Sequence, residues 1–263
     1  MDFSWLPTKR NCDCAPGRLN CLTRAELLKL GSTIIDVKPR QRWREKHGGR
    51  FIPQVPEKFI KLFSHPGETV LDPFCGSGTT NLVAKQLGRN SIALDVNPYS
   101  IGITLKRLGD SDAYATRHEV VQGSCVEIME LMPRAAIDLI VTSPPYFDVM
   151  DYEDSSPEQW GNIHEYAGFL DKMRLALAAM RRVIKSGGYL VLVTQDVYKR
   201  KAKCPLHSDY IQMSRELGLE VMSTQVYVLN YSSGGRLVYG YPRSYYPKND
   251  HEFIVVLRKE EAV

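Results

Sequence analysis

Val70-Leu-Asp-Pro-Phe-Cys-Gly-Ser-Gly-Thr-Thr80 changes character twice within one short stretch. Val70, Leu71 and Asp72 read as the end of a buried strand. Cys75-Gly-Ser-Gly78 makes a tight turn, and Thr79 opens a helix. Glycines at such a turn let the backbone come close to a ligand, while the first turn of the helix offers unpaired N–H groups. The unit reads as the opening of a nucleoside-binding βαβ fold. Farther on, Ser91-Ile-Ala-Leu-Asp95 is a second strand that ends in an acid. Asp95 lies about twenty residues beyond the turn, the place from which such units bind ribose hydroxyls. The triphosphate signature Gly-Lys-Ser/Thr is absent, so a nucleoside triphosphate is not expected, although the generic pattern also admits a dinucleotide.

The alternation continues along the chain. Strand-like runs fall at Thr69–Phe74, Ser91–Val96, Glu119–Gln122, Ile137–Ser143, Tyr189–Thr194, Leu219–Leu229 and Glu252–Arg258. Helical segments at Thr79–Leu87, Pro98–Leu108 and Glu165–Ile184 separate several of them. Apolar strands alternating with helices predict a doubly wound, mostly parallel sheet covered on both faces. A tyrosine-rich loop, not a helix, joins the last two strands, which predicts an antiparallel hairpin. The expected class is α/β and Rossmann-like, with seven strands and a C-terminal antiparallel hairpin. Residues 1–50 read as a polar arm whose basic end, Arg40, Arg42, Arg44, Lys46 and Arg50 around Trp43, suits DNA contact. Residues 51–263 form the α/β domain. Within the arm, Thr23 and Glu26 make the capping-box pattern of a short helix ending at Leu30.

Composition narrows the class further. The 263 residues are 43% hydrophobic and 24% charged, as in ordinary globular chains. A net charge of +4 and a pI near 8.6 tilt toward a polyanionic partner. No apolar run of about 18 residues suggests a membrane span, and the start of the chain lacks a secretory pattern. The expected location is cytoplasmic. Cys75, Cys125 and Cys204 are scattered and read as free thiols in a reducing compartment. Cys12, Cys14 and Cys21 cluster, with His47 and His65 farther on, but their spacing is not that of a standard zinc knuckle. No metal site is assigned.

Ile137-Asp-Leu-Ile-Val-Thr-Ser143 reads as a strand that Pro144-Pro145 ends abruptly, because neither proline can donate to a ladder. Ser143 and Tyr146 are thereby presented at the strand's C-terminal end, the functional edge of such sheets. Asp72–Thr80 followed by Thr142-Ser-Pro-Pro-Tyr146 resembles the cofactor loop and catalytic loop of the S-adenosylmethionine-dependent DNA amino-methyltransferases. Those enzymes methylate cytosine N4 or adenine N6. His47-Gly-Gly-Arg-Phe-Ile-Pro53 and Pro56–Ser64 resemble the segment with which they close over the methionine end of the cofactor. The resemblance implies S-adenosyl-L-methionine as cofactor. Asp72 and the loop backbone of Gly76, Ser77, Gly78 and Thr79 would hold its methionine part, with Phe74 alongside and Asp95 on the ribose. Ser124 stands where the family often has an acid facing the adenine, and a hydroxyl there bonds more weakly than a carboxylate.

The resemblance also implies methyl transfer to a flipped base, carried by Ser143, Pro144, Pro145 and Tyr146. An exocyclic base amine is a poor nucleophile because its lone pair is delocalised into the ring. A serine acceptor and a proline carbonyl that take its two N–H bonds favour a pyramidal nitrogen facing the sulfonium methyl. Tyr146 would stack on the base after flipping. Serine in the first position resembles the cytosine-N4 enzymes, with adenine N6 as the alternative. Carbon-5 methylation would need a thiolate in a Pro-Cys step, which this chain lacks. RNA, a protein glutamine amide and a non-catalytic DNA-binding role are remoter alternatives. Expected partners are double-stranded DNA, a cognate restriction endonuclease and a second copy of the chain as a homodimer. Two small loops, at about 197–212 and 230–250, are the recognition candidates, because lysines, or tyrosines with Arg236 and Arg243, suit phosphate contact and base stacking. The acidic stretch Phe147–Trp160 would help to cover the base.

Overall fold

A computed structural model describes residues 1–36, 52–109, 114–148, 159–199, 202–228, 238–239, 246–247 and 249–260. The basic end of the arm, His47, most of the acidic stretch after Phe147 and most of the tyrosine-rich loop lie outside the described residues.

The elements follow in the order α1 (Arg24–Leu30), β1 (Ile34–Ile35), α2 (Gln54–Phe63), β2 (Thr69–Asp72), α3 (Thr79–Gln86), β3 (Asn90–Asp95), α4 (Pro98–Leu108) and β4 (His118–Gln122). There follow α5 (Cys125–Leu131), β5 (Ile137–Thr142), α6 (Tyr166–Val183), β6 (Ile184–Thr194), β7 (Val197–Lys199) and β8 (Ala202–Cys204). The chain ends with α7 (Leu206–Glu216), β9 (Leu219–Val228), β10 (Val238–Tyr239), β11 (Tyr246–Pro247) and β12 (His251–Lys259). The main sheet has the strand order β1-β9-β12-β6-β5-β2-β3-β4. Strands β2 to β6 pair in parallel within it, while β12 runs antiparallel between β6 and β9.

All seven strand-like runs of the sequence enter this sheet. The eighth strand, β1, was not expected: two residues are too short to show a period, and they add in parallel to Val226 and Tyr227 of β9. The strand at Tyr189–Thr194 also begins earlier, at Ile184, because Ser186-Gly-Gly188 hides its start from pattern reading. In α1 both halves of the capping box form.

The two faces of the sheet follow directly from period-two alternation. Leu71, Ile140, Leu190, Leu192, Val255 and Leu257 face a layer built from α5, α6 and α7, with Met129, Phe169, Met180 and Tyr210 at its centre. Val70, Leu139, Val141, Val191, Val193, Ile254 and Val256 face the other way, against Val55, Phe59 and Ile60 of α2 and Val83 and Ala84 of α3. Strands with apolar residues on both faces form a continuous apolar run, which is why the sequence signal was clear. The result is a three-layer α/β/α sandwich.

Connections decide where a ligand can sit. From β2 the chain proceeds to β3 and β4 on one side, then crosses to β5 and β6 on the other. The order therefore reverses between β2 and β5, and a crevice opens outside their C-terminal ends.

Candidate active site

Asp72 ends β2 and Thr142 ends β5, so the two flank the point of reversal. The Thr142 hydroxyl donates to Asp72 Oδ1 at 2.6 Å, and the Phe74 N–H donates to the same oxygen at 3.2 Å. Asp72 is only 3% exposed. Burial pushes its carboxyl up to about 6, against the pull of these hydrogen bonds. The strand's own geometry thus joins the glycine turn to the Ser143-Pro-Pro-Tyr146 turn.

The glycine turn is held from behind by α4. The Thr104 hydroxyl donates to the Gly76 carbonyl at 3.0 Å. Arg107 donates to the Ser77 carbonyl at 2.6 Å, to Ser77 Oγ at 3.0 Å and to Thr79 Oγ1 at 3.2 Å. Gly78 caps α3 in the left-handed region, and a Cβ there would stand 2.5 Å from the Thr104 methyl. Gly76 also has positive φ, but among the described residues a Cβ on it would meet nothing within 4 Å. One glycine is required by packing; the other keeps a space clear. Burial, then the charges of Asp95 and Asp72, push the Cys75 thiol well above its ordinary range, so it is no nucleophile.

Asp95 closes the second side. Its Oδ2 accepts the Gly76 N–H at 2.9 Å and its Oδ1 accepts the Asn97 N–H at 2.9 Å. Gly123 donates to the Asp95 carbonyl at 2.9 Å, which brings the end of β4 alongside. Ser124 there is buried at the N-terminus of α5, and its hydroxyl makes no capping bond to that helix. Phe74 packs edge-on against the buried ring of Trp160, with centroids 5.7 Å apart. Asp72, Phe74, the loop from Gly76 to Thr79, Asp95 and Ser124 therefore come together along the ends of three adjacent strands. A clear space over Gly76, bordered by carboxylates and by backbone of a helix N-terminus, fits a cationic nucleoside cofactor such as S-adenosylmethionine.

At the Ser143–Tyr146 turn, Ser143 Oγ lies 3.4 Å from the Tyr146 hydroxyl. That hydroxyl donates to Glu252 Oε1 at 2.9 Å. Both side chains are partly buried. Burial raises the Glu252 carboxyl to about 7 and the Tyr146 phenol well above its ordinary range. Pro144 is buried and Pro145 partly so.

Three features beside these turns are not legible in the sequence. Glu252, the second residue of β12, reads in the sequence only as strand. Thr142 reads in the sequence as part of the strand and as the first residue of the Thr142–Tyr146 motif, without its bond to Asp72. The third is a polar cluster at the end of β6: His207 Nδ1 lies 2.6 Å from Asp196 Oδ1, and Lys203 Nζ lies 2.9 Å from Asp196 Oδ2. The His207 ring stacks on Phe253, beside Glu252, with centroids 3.9 Å apart. An acid just beyond a strand's C-terminal end, as at Asp196, was the available signal. By contrast, a cavity of about 420 Å³ lined by Trp5, Thr8, Lys9, Asn90, Tyr114 and Thr116 contains none of the expected site residues.

Structural likeness adds the architecture. TrmN from Thermus thermophilus matches with a TM-score of 0.50 at 17% identity, over 79% of this chain and 48% of that one. A SAM-dependent methyltransferase from Methanosarcina mazei also reaches 0.50, at 13% identity, over 74% and 93%. At such identities the likeness is one of fold. Among the described residues no helix is long and apolar enough to cross a membrane.

Sequence likeness is more specific. Type II methyltransferase M.MjaII from Methanocaldococcus jannaschii is 37% identical over 78 residues, 28% of this chain and 15% of that protein. Type II methyltransferase M2.DpnII from Streptococcus pneumoniae is 39% identical over 71 residues, 27% and 26% respectively. The matched stretches thus span about a quarter or less of these relatives. The N6/N4 methyltransferase model of DNA methylases, however, matches residues 23–106 and 137–263, most of the chain and both turns at the point of reversal. The chain belongs to the N6/N4 DNA methylase family.

Proposed function

We propose that this protein transfers a methyl group from S-adenosylmethionine to the N4 amine of a cytosine flipped out of duplex DNA. The observation that carries the reading is the 2.6 Å bond from Thr142 to Asp72, which sets the Ser143-Pro-Pro-Tyr146 turn beside the glycine loop. Bound S-adenosylmethionine supplies an electrophilic sulfonium methyl. Asp72 and the backbone from Gly76 to Thr79 hold the methionine portion, with Phe74 alongside. Asp95 takes the ribose hydroxyls and Ser124 faces the adenine. Held from behind by α4, the loop needs little reorganisation on binding, which favours affinity.

On the substrate side, Ser143 Oγ and the Pro144 carbonyl accept the two N–H bonds of the base amine. This holds the nitrogen lone pair toward the methyl group for direct in-line attack. The amine becomes cationic on attack and sheds its proton afterwards, so Ser143 positions and does not act as nucleophile. The Tyr146 ring, anchored through its hydroxyl to Glu252, is the stacking surface for the flipped base. Serine at position 143 favours cytosine N4 over adenine N6. Duplex DNA is the proposed partner, and the Type II names of the relatives support a cognate restriction endonuclease.

The test is mass spectrometry of nucleosides from DNA incubated with the protein and S-adenosylmethionine, beside a Ser143→Ala control. N4-methylcytosine that disappears in the control is the expected result. N6-methyladenine would keep the mechanism and overturn the base. No methylated base on varied duplex DNA would overturn the proposed substrate.

A further inference from the structure

At the opposite end of β2 from Asp72, four potential metal ligands converge. Cys12 Sγ lies 3.3 Å and Cys21 Sγ 3.2 Å from His65 Nδ1, and Cys14 Sγ lies 3.3 Å from Cys21 Sγ. All four donor atoms fall within 4.8 Å of one another. We propose that Cys12, Cys14, Cys21 and His65 form a structural zinc site that staples the N-terminal arm to the turn between α2 and β2. Sequence spacing alone gave no such site, because the fourth ligand lies 44 residues beyond Cys21. Only the fold brings it in.

Local structure is arranged for this. Ala15-Pro-Gly-Arg18 is a turn with Gly17 at φ +79 and the Arg18 N–H on the Ala15 carbonyl. Proline followed by a left-handed glycine is the composition of a type II turn. It reverses the chain and returns Cys21 to Cys14. His65 is 1% exposed, and its Nε2 lies 2.8 Å from the Arg18 carbonyl oxygen. A carbonyl only accepts, so Nε2 carries the proton and Nδ1 turns its lone pair toward the sulfurs. This is the outer support that metal-bound histidines use to fix ring and tautomer. Here the supporting carbonyl belongs to the ligand loop itself.

The arm is docked closely around this point. Asn11 donates to the Pro66 carbonyl at 2.7 Å and the Asn20 amide to the Leu62 carbonyl at 2.9 Å. A Cβ on Gly67 would stand 2.6 Å from the Lys9 carbonyl, so glycine is needed for the approach. Glu68 holds the His65 N–H at 2.7 Å and Arg10 at 2.7 Å.

Three thiolates and one imidazole are the donor set of a closed tetrahedral zinc site. Zinc would release three thiol protons to solvent and leave the cluster with one negative charge; the nearby guanidinium of Arg10 is held on Glu68, and that of Arg89 on Ser64 beside His65. Bond lengths of about 2.3 Å to sulfur and about 2.0 Å to nitrogen need ligand separations of about 3.5–3.8 Å. The observed distances reach that with small side-chain rotations. Four protein ligands leave no open position, so the ion would act on folding and not on chemistry. The cysteine pair at 3.3 Å is well beyond the disulfide bond length of about 2.05 Å.

The experiment is elemental analysis of the reduced full-length protein, followed by cobalt substitution. One zinc per chain is expected, and Cys14→Ser and His65→Ala should each bring it to background while His47→Ala keeps it. In the wild-type chain, Co²⁺ should give intense tetrahedral visible bands with thiolate-to-metal charge transfer, a readout that does not depend on any variant folding. A reduced wild-type chain with all thiols titratable that takes up neither Zn²⁺ nor Co²⁺ would overturn the proposal. So would a cobalt spectrum without thiolate charge transfer, or a Cys14–Cys21 disulfide in freshly isolated protein.

Discussion

The Tyr146 hydroxyl donates to Glu252 Oε1 across 2.9 Å, tying the turn after β5 to the first residues of β12. Because burial raises the Glu252 carboxyl from 4.5 to about 7, the folded protein favours its protonated form. The sign follows: this group's stability is fully present below about pH 4.5 and is lost as pH rises through about 7. A shift of that size corresponds to at most about 3 kcal/mol. Glu252→Gln keeps an acceptor for Tyr146 and removes the titration. Melting temperature of the wild type should fall more steeply than that of Glu252→Gln between about pH 5 and pH 8. Parallel curves would show that Glu252 does not titrate in this window.

The Thr142–Asp72 bond makes a separate claim about cofactor binding. With its carboxyl pushed up to about 6, Asp72 is ionised at mildly alkaline pH and accepts from Thr142 and the Phe74 N–H. Thr142→Val removes one donor from a buried anion, at a cost of about 1–3 kcal/mol, and should move the carboxyl higher still. Calorimetric titration with S-adenosylmethionine should then show weaker binding whose pH profile is displaced upward. An unchanged profile would mean that the Asp72 charge is not engaged.

Much of this was legible because the fold and the site use different kinds of sequence signal. The strands β2, β5, β6 and β12 are apolar on both faces, so their runs stood out, and the two turns at their ends carried short motifs. What stayed hidden depends on distant pairings. Glu252 stands out only by lying beside Tyr146, 106 residues away, and His65, which the sequence offers on equal terms with His47, is singled out only by lying beside three cysteines of the arm. Neither relation has a spacing that a linear pattern can show. Helix α7, with Leu206, Tyr210 and Met213 buried against β9 and β12, was not picked out as a helix because the basic Lys199–Lys203 run drew the reading of that stretch toward a loop.

The two glycines of the cofactor loop should fail in different ways. Gly78→Ala forces a Cβ into Thr104 as well as holding a left-handed backbone, and should cost about 1–3 kcal/mol of stability. Gly76→Ala meets no atom of the described residues, so its cost to folding should be the backbone strain, about 1 kcal/mol. Its Cβ would instead project into the space assigned to the cofactor. Thermal unfolding beside calorimetric binding separates them: Gly78→Ala should show the larger melting shift and Gly76→Ala the larger loss of affinity. The reverse ranking would place the ligand elsewhere.

Asp196 holds His207 and Lys203 in one cluster at the end of β6, and these bonds outweigh burial to keep its carboxyl below the ordinary range. His207 in turn stacks on Phe253, the neighbour of Glu252, so the cluster adjoins the Glu252–Tyr146 pair. Asp196→Asn keeps the size of the side chain but removes the charge that holds Lys203 and His207. If the cluster orders the substrate side, loss of one charge-assisted hydrogen bond of about 1.5–3 kcal/mol there should lower the proposed methyl transfer to DNA by about 10-fold or more. Affinity for S-adenosylmethionine should stay within about 2-fold, because the glycine loop is held from α4 and does not touch the cluster. The discriminating measurement is the pair of KM values. A rise for DNA alone assigns the cluster to the substrate side, whereas a matching rise for the cofactor would show that the two edges are mechanically one.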